Sequence, residues 1–330
     1  MKNKTMFDML AFLAPQMRPP IPSEELLGMD LCLSVTACPP RQFFQGFDGE
    51  SLSMEMLNSI ERYVTLLEEN GVTIIRSLSD YETPGLKVVL NIQDPLPNAS
   101  IHMHDLYMLG VRIMQLSYQG PNEYGGGFLS DASLTSEGKS AIKSMSVNRM
   151  ILDLSHANTA TALDALREAN GNGVHVMISH TASFQVYDNP RNAHDEVISA
   201  VMGAGGIVGL FGLTFCLDQN DDTAKSFLKH LNHIRTLHEN ADNCIVYGSD
   251  GWYCDYEEGN TKNTFEMLKQ KVDPHGLLRA RFPDQIIEFM GVERISKTCS
   301  VLQDLGVVKS FLYKMFHVNP ERFLFRALSQ

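Results

Sequence analysis

Short, continuous apolar runs recur along the chain, and amphipathic segments separate most of them. Such runs are typical of parallel strands, because helices cover both faces of a parallel sheet and leave no solvent-facing side. Eight of them predict strands, at Leu31–Val35, Val72–Ser77, Lys87–Ile92, Val111–Ser117, Met150–Ser155, Val174–Ser179, Gly206–Gly212 and Cys244–Ser249.

The segments between these runs repeat apolar residues at helical spacing, and several start with a capping residue and end at Gly or Asn. Eight strands that alternate with helices predict an α/β fold, a (β/α)8 TIM barrel. We expect one domain over residues 1–330, with an N-terminal arm over about residues 1–28 and added C-terminal helices over about residues 295–330. In the arm, Asp8 interrupts and Pro15 ends the apolar stretch of MFDMLAFLAP, a pattern that predicts an amphipathic helix.

The charge and composition of the chain indicate which classes of molecule it is not expected to bind. The 330 residues carry a net charge of −12 and no cluster of Lys or Arg, so the sequence predicts no nucleic-acid partner and no membrane partner. No apolar run is long enough to span a membrane. The six cysteines are scattered and form no CxxC pair, which indicates reduced thiols and a cytoplasmic location.

Polar residues that could catalyse a reaction or bind a metal ion follow several predicted strands. Parallel barrels place catalytic groups where strands end at the carboxyl face, so these side chains should meet in one mouth. Two neutral imidazoles and a carboxylate are a common zinc ligand set that leaves a position for water. The residues concerned are Gln93, Asp94, Ser117, Tyr118, His156, His180 and Asp250.

Arg191 lies in the loop after the sixth predicted strand, where a guanidinium could bind a substrate carboxylate through two hydrogen bonds. His230 and His233 share a helix face and could bind metal, but their helical position favours packing. The glycine cluster Tyr124–Gly127 lacks the context of a phosphate-binding loop and is interpreted as a flexible loop at the mouth.

The ordered motifs around these residues resemble those of the membrane (renal) dipeptidase family, zinc peptidases among the amidohydrolase-like barrels. The resemblance runs from about Leu90 to Asp250 and continues loosely to PERFLFRAL near the end. The segments that carry it are LGVRIMQLSYQGPNEYGGG, LTSEGKSAIKSMSVNRMILDLSHAN, VMISHTASFQVYDNPRNAHDEVISAV, HLNHI and IVYGSD.

The resemblance implies a binuclear zinc site at the barrel mouth. By it, His156 and His180 bind one zinc, Asp250 handles the catalytic proton and Arg191 receives the substrate carboxylate. It also implies a small-molecule substrate, a dipeptide or an N-acyl amino acid, and it allows a homodimer. Tyr118 replaces a family histidine and is assigned to substrate binding.

Other family ligands are missing. Gln93 replaces the bridging glutamate and is a poor third ligand, because an amide supplies no charge. The strand-one His-x-Asp pair is absent from LCLSVTACPP, which offers only Thr36 and Cys38, with Asp30 upstream. Three interpretations remain open: a hydrolase with one zinc ion at most, a catalytically degenerate barrel that binds a ligand, and a metal-free acid/base enzyme.

Overall fold

The computed structural model describes residues 5–13, 22–254 and 258–329. Within these residues, ten parallel strands belong to one sheet. They are Met6–Phe12 (β1), Leu31–Thr36 (β2), Thr73–Ile74 (β3), Lys87–Ile92 (β4), Val111–Gln115 (β5), Ile151–Asp153 (β6), Val176–Thr181 (β7), Ile207–Leu210 (β8), Ile245–Tyr247 (β9) and Gly251–Trp252 (β10).

The strands curl into a barrel in the order β10-β1-β2-β4-β5-β6-β7-β8-β9, and β3 pairs with β4 beside this path. The two ends of the path, β9 and β10, are consecutive in the chain. Asp250, between them, donates its backbone N–H to the carbonyl of Leu10 at 2.9 Å, which ties this corner to β1. The predicted α/β barrel is confirmed.

The described helices surround this sheet. Short 3₁₀ turns lie at Arg41–Phe43, Ala241–Asn243 and Ile287–Phe289, and a π-helical turn lies at Lys314–Val318. The α-helices are Glu24–Gly28 (α1), Gly49–Glu69 (α2), Leu78–Tyr81 (α3), Ala99–Leu109 (α4), Ser136–Val147 (α5), Thr159–Asn172 (α6), Asp195–Gly203 (α7), Thr214–Leu217 (α8), Ala224–Ile234 (α9), Glu258–Val272 (α10), Arg294–Asp304 (α11), Lys309–Tyr313 (α12) and Asn319–Leu328 (α13). Among the residues described, none of these helices is both long and apolar enough to cross a membrane.

The first barrel strand corrects the sequence-based expectation. Met6–Phe12 was predicted as an amphipathic helix, but it is the buried strand β1, paired with β2 and β10. Its Asp8 is fully buried and accepts hydrogen bonds from Ser249 N at 2.8 Å and Tyr253 Oη at 2.9 Å. The carboxylate looked like a polar interruption only because its partners lie some 240 positions away along the chain.

The predicted strand Val72–Ser77 contributes only the two-residue β3, which pairs with β4 beside the main path. Seven of the eight predicted strands therefore lie on the barrel path, and β1 was missed.

Inward-facing residues fill the barrel in layers. Since side chains alternate along a strand, the same face continues two residues further on. The amino-terminal layer is apolar, and Phe323 and Leu324 of α13 close it from below. Polar side chains form the next layer towards the carboxyl end, among them Asn91, Gln115, Asp153 and Ser179. The other residues of the apolar layer include Phe7, Met9, Cys32, Val89, Ile113, Ile151, Met177, Ile207 and Val246.

Candidate active site

Two histidines meet at the carboxyl ends of β6 and β7. His156 follows β6 with a positive φ of 67°, a conformation uncommon outside glycine, and His180 lies in β7. Both are buried, and their Nε2 atoms are 3.1 Å apart. The sequence prediction that these two strand ends converge is correct.

A buried carboxylate beneath them fixes the orientation of His180. Asp153 accepts hydrogen bonds from Gln115 Nε2 and from the backbone N–H and hydroxyl groups of both Ser155 and Ser179. Because Ser179 gives its single hydroxyl proton to this carboxylate, its oxygen accepts the Nδ1–H of His180 at 2.6 Å. His180 Nε2 then presents a lone pair to His156.

Both imidazoles are held neutral. Burial lowers the pKa of His156 and of His180 well below the ordinary value, and the neighbouring Arg191 cation lowers each further. The pair is therefore in the neutral form, which is the form of histidine that binds metal ions.

Asp250 enters the same mouth from the corner between β9 and β10. Its φ is 53°, and its backbone N–H is held by Leu10 O. Its Oδ2 lies 4.0 Å from His180 Nε2. Burial raises the pKa of the Asp250 carboxyl to about 6, although Arg191 and Arg294 oppose this shift.

Arg191 is positioned by the loop after β7. Asn189 Oδ1 accepts the backbone N–H of Arg191 at 3.0 Å, and Asn189 Nδ2 donates to Phe215 O and Leu278 O, both at 2.9 Å. The guanidinium donates to His156 Nε2 at 3.0 Å. Arg191 is therefore inside the site, beside the first histidine.

Aromatic side chains hold the other face of His156. The ring of Tyr118 stacks on the imidazole at 4.3 Å, and Phe128 lies 5.6 Å from it. The loop before Phe128 is closely packed, in contrast to the flexible loop predicted from its glycines. A Cβ on Gly127 would lie 2.4 Å from Tyr118 O, so only glycine fits there.

Among the described residues, the imidazoles of His156 and His180 lie close enough to share a metal ion. Zinc–nitrogen bonds are about 2.0–2.1 Å long, so two nitrogens 3.1 Å apart can both contact one ion. Gln93 is buried, its Nε2 lacks a hydrogen-bond partner among the described residues, and it does not line the cavity beside His156. In the part of the chain that the structure describes, no three His, Cys, Asp or Glu side chains are grouped as metal ligands.

The carboxyl end of β1 adds no metal ligand to the two histidines. Its last residues, Leu10, Ala11 and Phe12, offer no metal ligand, and this strand, rather than LCLSVTACPP, comes first in the barrel. LCLSVTACPP, which the sequence analysis took as the first strand, forms the second strand, β2.

A cavity of about 160 Å³ opens beside His156, Arg191 and Asp250. Sequence reasoning missed two charged residues on its wall, Asp284 and Arg294. Asp284 Oδ1 and Arg294 Nε are buried and have no hydrogen-bond partner among the described residues. Neither residue follows a strand, so the search for strand ends could not find them.

The remaining histidine candidates are structural, as the sequence favoured. His230 Nδ1 accepts the N–H of Ser183 at 3.1 Å, and its Nε2 donates to Leu217 O at 2.8 Å. His233 pairs with Asp195 at 2.7 Å.

Comparison with known sequences finds similar proteins among dipeptidases. The profile of the family described as "Membrane dipeptidase (Peptidase family M19)" matches residues 43–240. Dipeptidase verJ of Clonostachys rogersoniana is 29% identical over 136 residues, which cover 40% of this chain and 34% of that protein. Dipeptidase 3 of Rattus norvegicus is 26% identical over 206 residues, which cover 58% of this chain and 41% of that protein. The matches thus span less than half the length of these relatives.

Solved structures share the fold. An amidohydrolase from Pseudomonas aeruginosa has a TM-score of 0.78 at 18% identity and covers 99% of this chain and 97% of its own. A metallo peptidase from Rhodobacter sphaeroides, liganded with a phosphinate mimic of L-Ala-D-Ala, has a TM-score of 0.75 at 15% identity, with coverages of 98% and 100%. At such identities the likeness concerns the fold alone.

Proposed function

This chain belongs to the membrane dipeptidase family, peptidase family M19, and we propose that it is a metallohydrolase that uses one zinc ion to cleave a dipeptide or N-acyl amino acid with a free carboxylate. The observation that carries the proposal is the pair of neutral imidazoles, 3.1 Å apart, with Arg191 and Asp250 beside them. Two imidazole nitrogens at this distance can both reach one zinc ion, because zinc–nitrogen bonds are about 2.0–2.1 Å long.

Metal binding, substrate binding and proton transfer are assigned to different residues of the site. His156 and His180 would hold the ion, with Asp250 or solvent completing its ligands. A zinc ion bound there supplies Lewis acidity to amide hydrolysis. Arg191 binds the substrate carboxylate through two hydrogen bonds, and Asp250 carries the proton to the leaving amine. Tyr118 supports the ligand beside His156.

The lone pair of His156 Nε2 cannot serve the Arg191 guanidinium and a metal ion at once. Ion binding therefore requires the guanidinium to leave this nitrogen. The same displacement frees its donors for a carboxylate.

Metal analysis tests the proposal. After mild chelation and reconstitution with zinc, the protein should retain one equivalent per chain by elemental analysis, and His156→Ala and His180→Ala should lose it. His233→Ala is the matched control, because that histidine pairs with Asp195 outside the site. A zinc-replete protein without bound metal would instead favour a ligand-binding barrel or metal-free acid/base chemistry.

Turnover is measured on the same preparations with a panel of dipeptides and N-acyl amino acids. We expect hydrolysis that follows the zinc content. Hydrolysis that persists in metal-free protein would contradict the role assigned to the ion.

A further inference from the structure

The cavity that contains Arg191 and Asp250 has a largely apolar wall. Aromatic and aliphatic side chains from well-separated parts of the chain line it. Such a wall binds ligands by removing apolar surface from water, while a few polar groups fix their orientation. The apolar contributors beyond the strands and α10 include Phe43, Phe128, Leu213, Phe215, Leu278 and Met290.

Part of this wall comes from the carboxyl end of β1 and from the adjoining β10. Phe12 ends β1, is the Cα partner of Trp252 in the β1–β10 ladder, and lines the cavity together with it. Two neighbouring barrel strands therefore offer aromatic rings at the mouth. A charged group would be poorly solvated there, and an apolar group would be well accommodated.

Helix α10 covers another side with one face. Thr261, Phe265, Leu268 and Val272 line the cavity at spacings of three and four residues, which places them on one stripe of the helix. Met267, on a different face, is 52% exposed. The apolar stripe therefore contributes to the cavity.

The cavity has room for a group of the size of an aromatic ring. Its volume of about 160 Å³, which includes the space beside Arg191 and Asp250, compares with about 150 Å³ for an engineered apolar cavity that binds benzene. We propose that this cavity is a subsite for an aromatic or large aliphatic group, so that the substrate is a small carboxylate-bearing amide with a bulky apolar side chain. The inference rests on the proposed function for the placement of the carboxylate on Arg191.

Binding can be measured without catalysis. Trp252 is the only tryptophan of the chain and lines the cavity, so its fluorescence reports occupancy. The probes are 3-phenylpropionate and propionate, which share a carboxylate and differ by the ring, and calorimetry confirms each constant. We expect the aromatic acid to bind at least about tenfold more tightly, because burial of a phenyl group contributes about this much or more. Equal affinity, or binding of neither acid, overturns the subsite.

Two substitutions on α10 test which face of this helix lines the subsite. Leu268→Gln should weaken binding of 3-phenylpropionate by about three- to tenfold and leave propionate unchanged, since it places an amide in the apolar wall. Met267→Gln is the matched control on the same helix and should change neither constant. Equal effects of the two variants would contradict the assigned face.

Hydrolysis is tested separately with L-Ala-L-Ala, L-Phe-L-Ala and L-Ala-L-Phe. If no dipeptide is cleaved but the aromatic acid still binds preferentially, the proposed function fails and the subsite stands. If all three are cleaved with equal kcat/KM and neither acid is preferred, the subsite fails and the proposed function stands.

Discussion

Two buried aspartates, one beneath each side of the barrel mouth, lie under very different side chains. Asp153 of β6 accepts five hydrogen bonds and, through Ser179, orients His180. Asp8 of β1 accepts three, from Leu10 N, Ser249 N and Tyr253 Oη, but the strand above it ends in Leu10 and Phe12. One carboxylate still supports a candidate metal ligand, and the other supports only the barrel.

The comparison shows that supporting and metal-binding residues are separable. On the histidine side both are present, and the imidazoles are neutral and close together. On the β1 side the buried carboxylate is present without a ligand, and aromatic residues line the cavity. A barrel can therefore keep its internal hydrogen bonds while the chemistry above them changes.

The largest expected effect concerns Asp8 and pH. Burial raises the pKa of its carboxyl from 3.8 to about 6, so between these values the folded chain binds more protons than the unfolded chain. The contribution of Asp8 to stability therefore falls as pH rises through this window, by at most about 3 kcal/mol. Asp8→Asn should flatten this part of the pH dependence, measured by urea unfolding between pH 4 and 7.

The difference between wild type and variant isolates Asp8, since Asp250 and Asp284 also have pKa values raised to about 6. An unchanged difference in unfolding free energy from pH 4 to 7 would contradict the assignment.

Arg191 distinguishes substrate binding from metal binding on the histidine side. Arg191→Met should lower kcat/KM by about 10- to 100-fold, because a charged hydrogen bond contributes about 1.5–3 kcal/mol. Zinc affinity should not fall, since the variant removes the donor that occupies His156 Nε2. Arg279→Met, at an exposed loop arginine, is the control. Loss of zinc from the Arg191 variant would show that this residue supports the metal site.

Asp153 tests the orientation of His180. Asp153→Asn should weaken zinc binding by about 10- to 100-fold, the usual effect of residues that orient metal ligands. Competition with a chromogenic chelator measures the affinity. Asp164→Asn, on the exposed side of α6, is the control. Equal zinc affinity in both variants would mean that Ser179 alone sets the tautomer.

The smallest effect is expected at Gln93. Gln93→Glu adds a charged oxygen, but β1 still provides no ligand, so zinc should remain at one equivalent with only a modest gain in affinity. Elemental analysis gives the stoichiometry. Two equivalents would show that a second ion finds ligands elsewhere in the mouth.

The sequence by itself determined the barrel and its main polar groups. Continuous apolar runs and regular capping signals are local properties, and they predicted seven of the barrel strands within a few residues. The positions of His156, His180 and Asp250 at strand ends predicted their convergence for the same reason, because parallel strands end at one face. Arg191 was found from its loop and from family resemblance.

Only the tertiary structure decided the rest. β1 was hidden because Asp8 is satisfied by Ser249 and Tyr253, which no local pattern connects to it. Asp284 and Arg294 reach the cavity from segments outside the strand-end pattern. Whether a polar residue can be buried, and which side chains share a cavity, depends on partners distant in sequence, and folding alone brings them together.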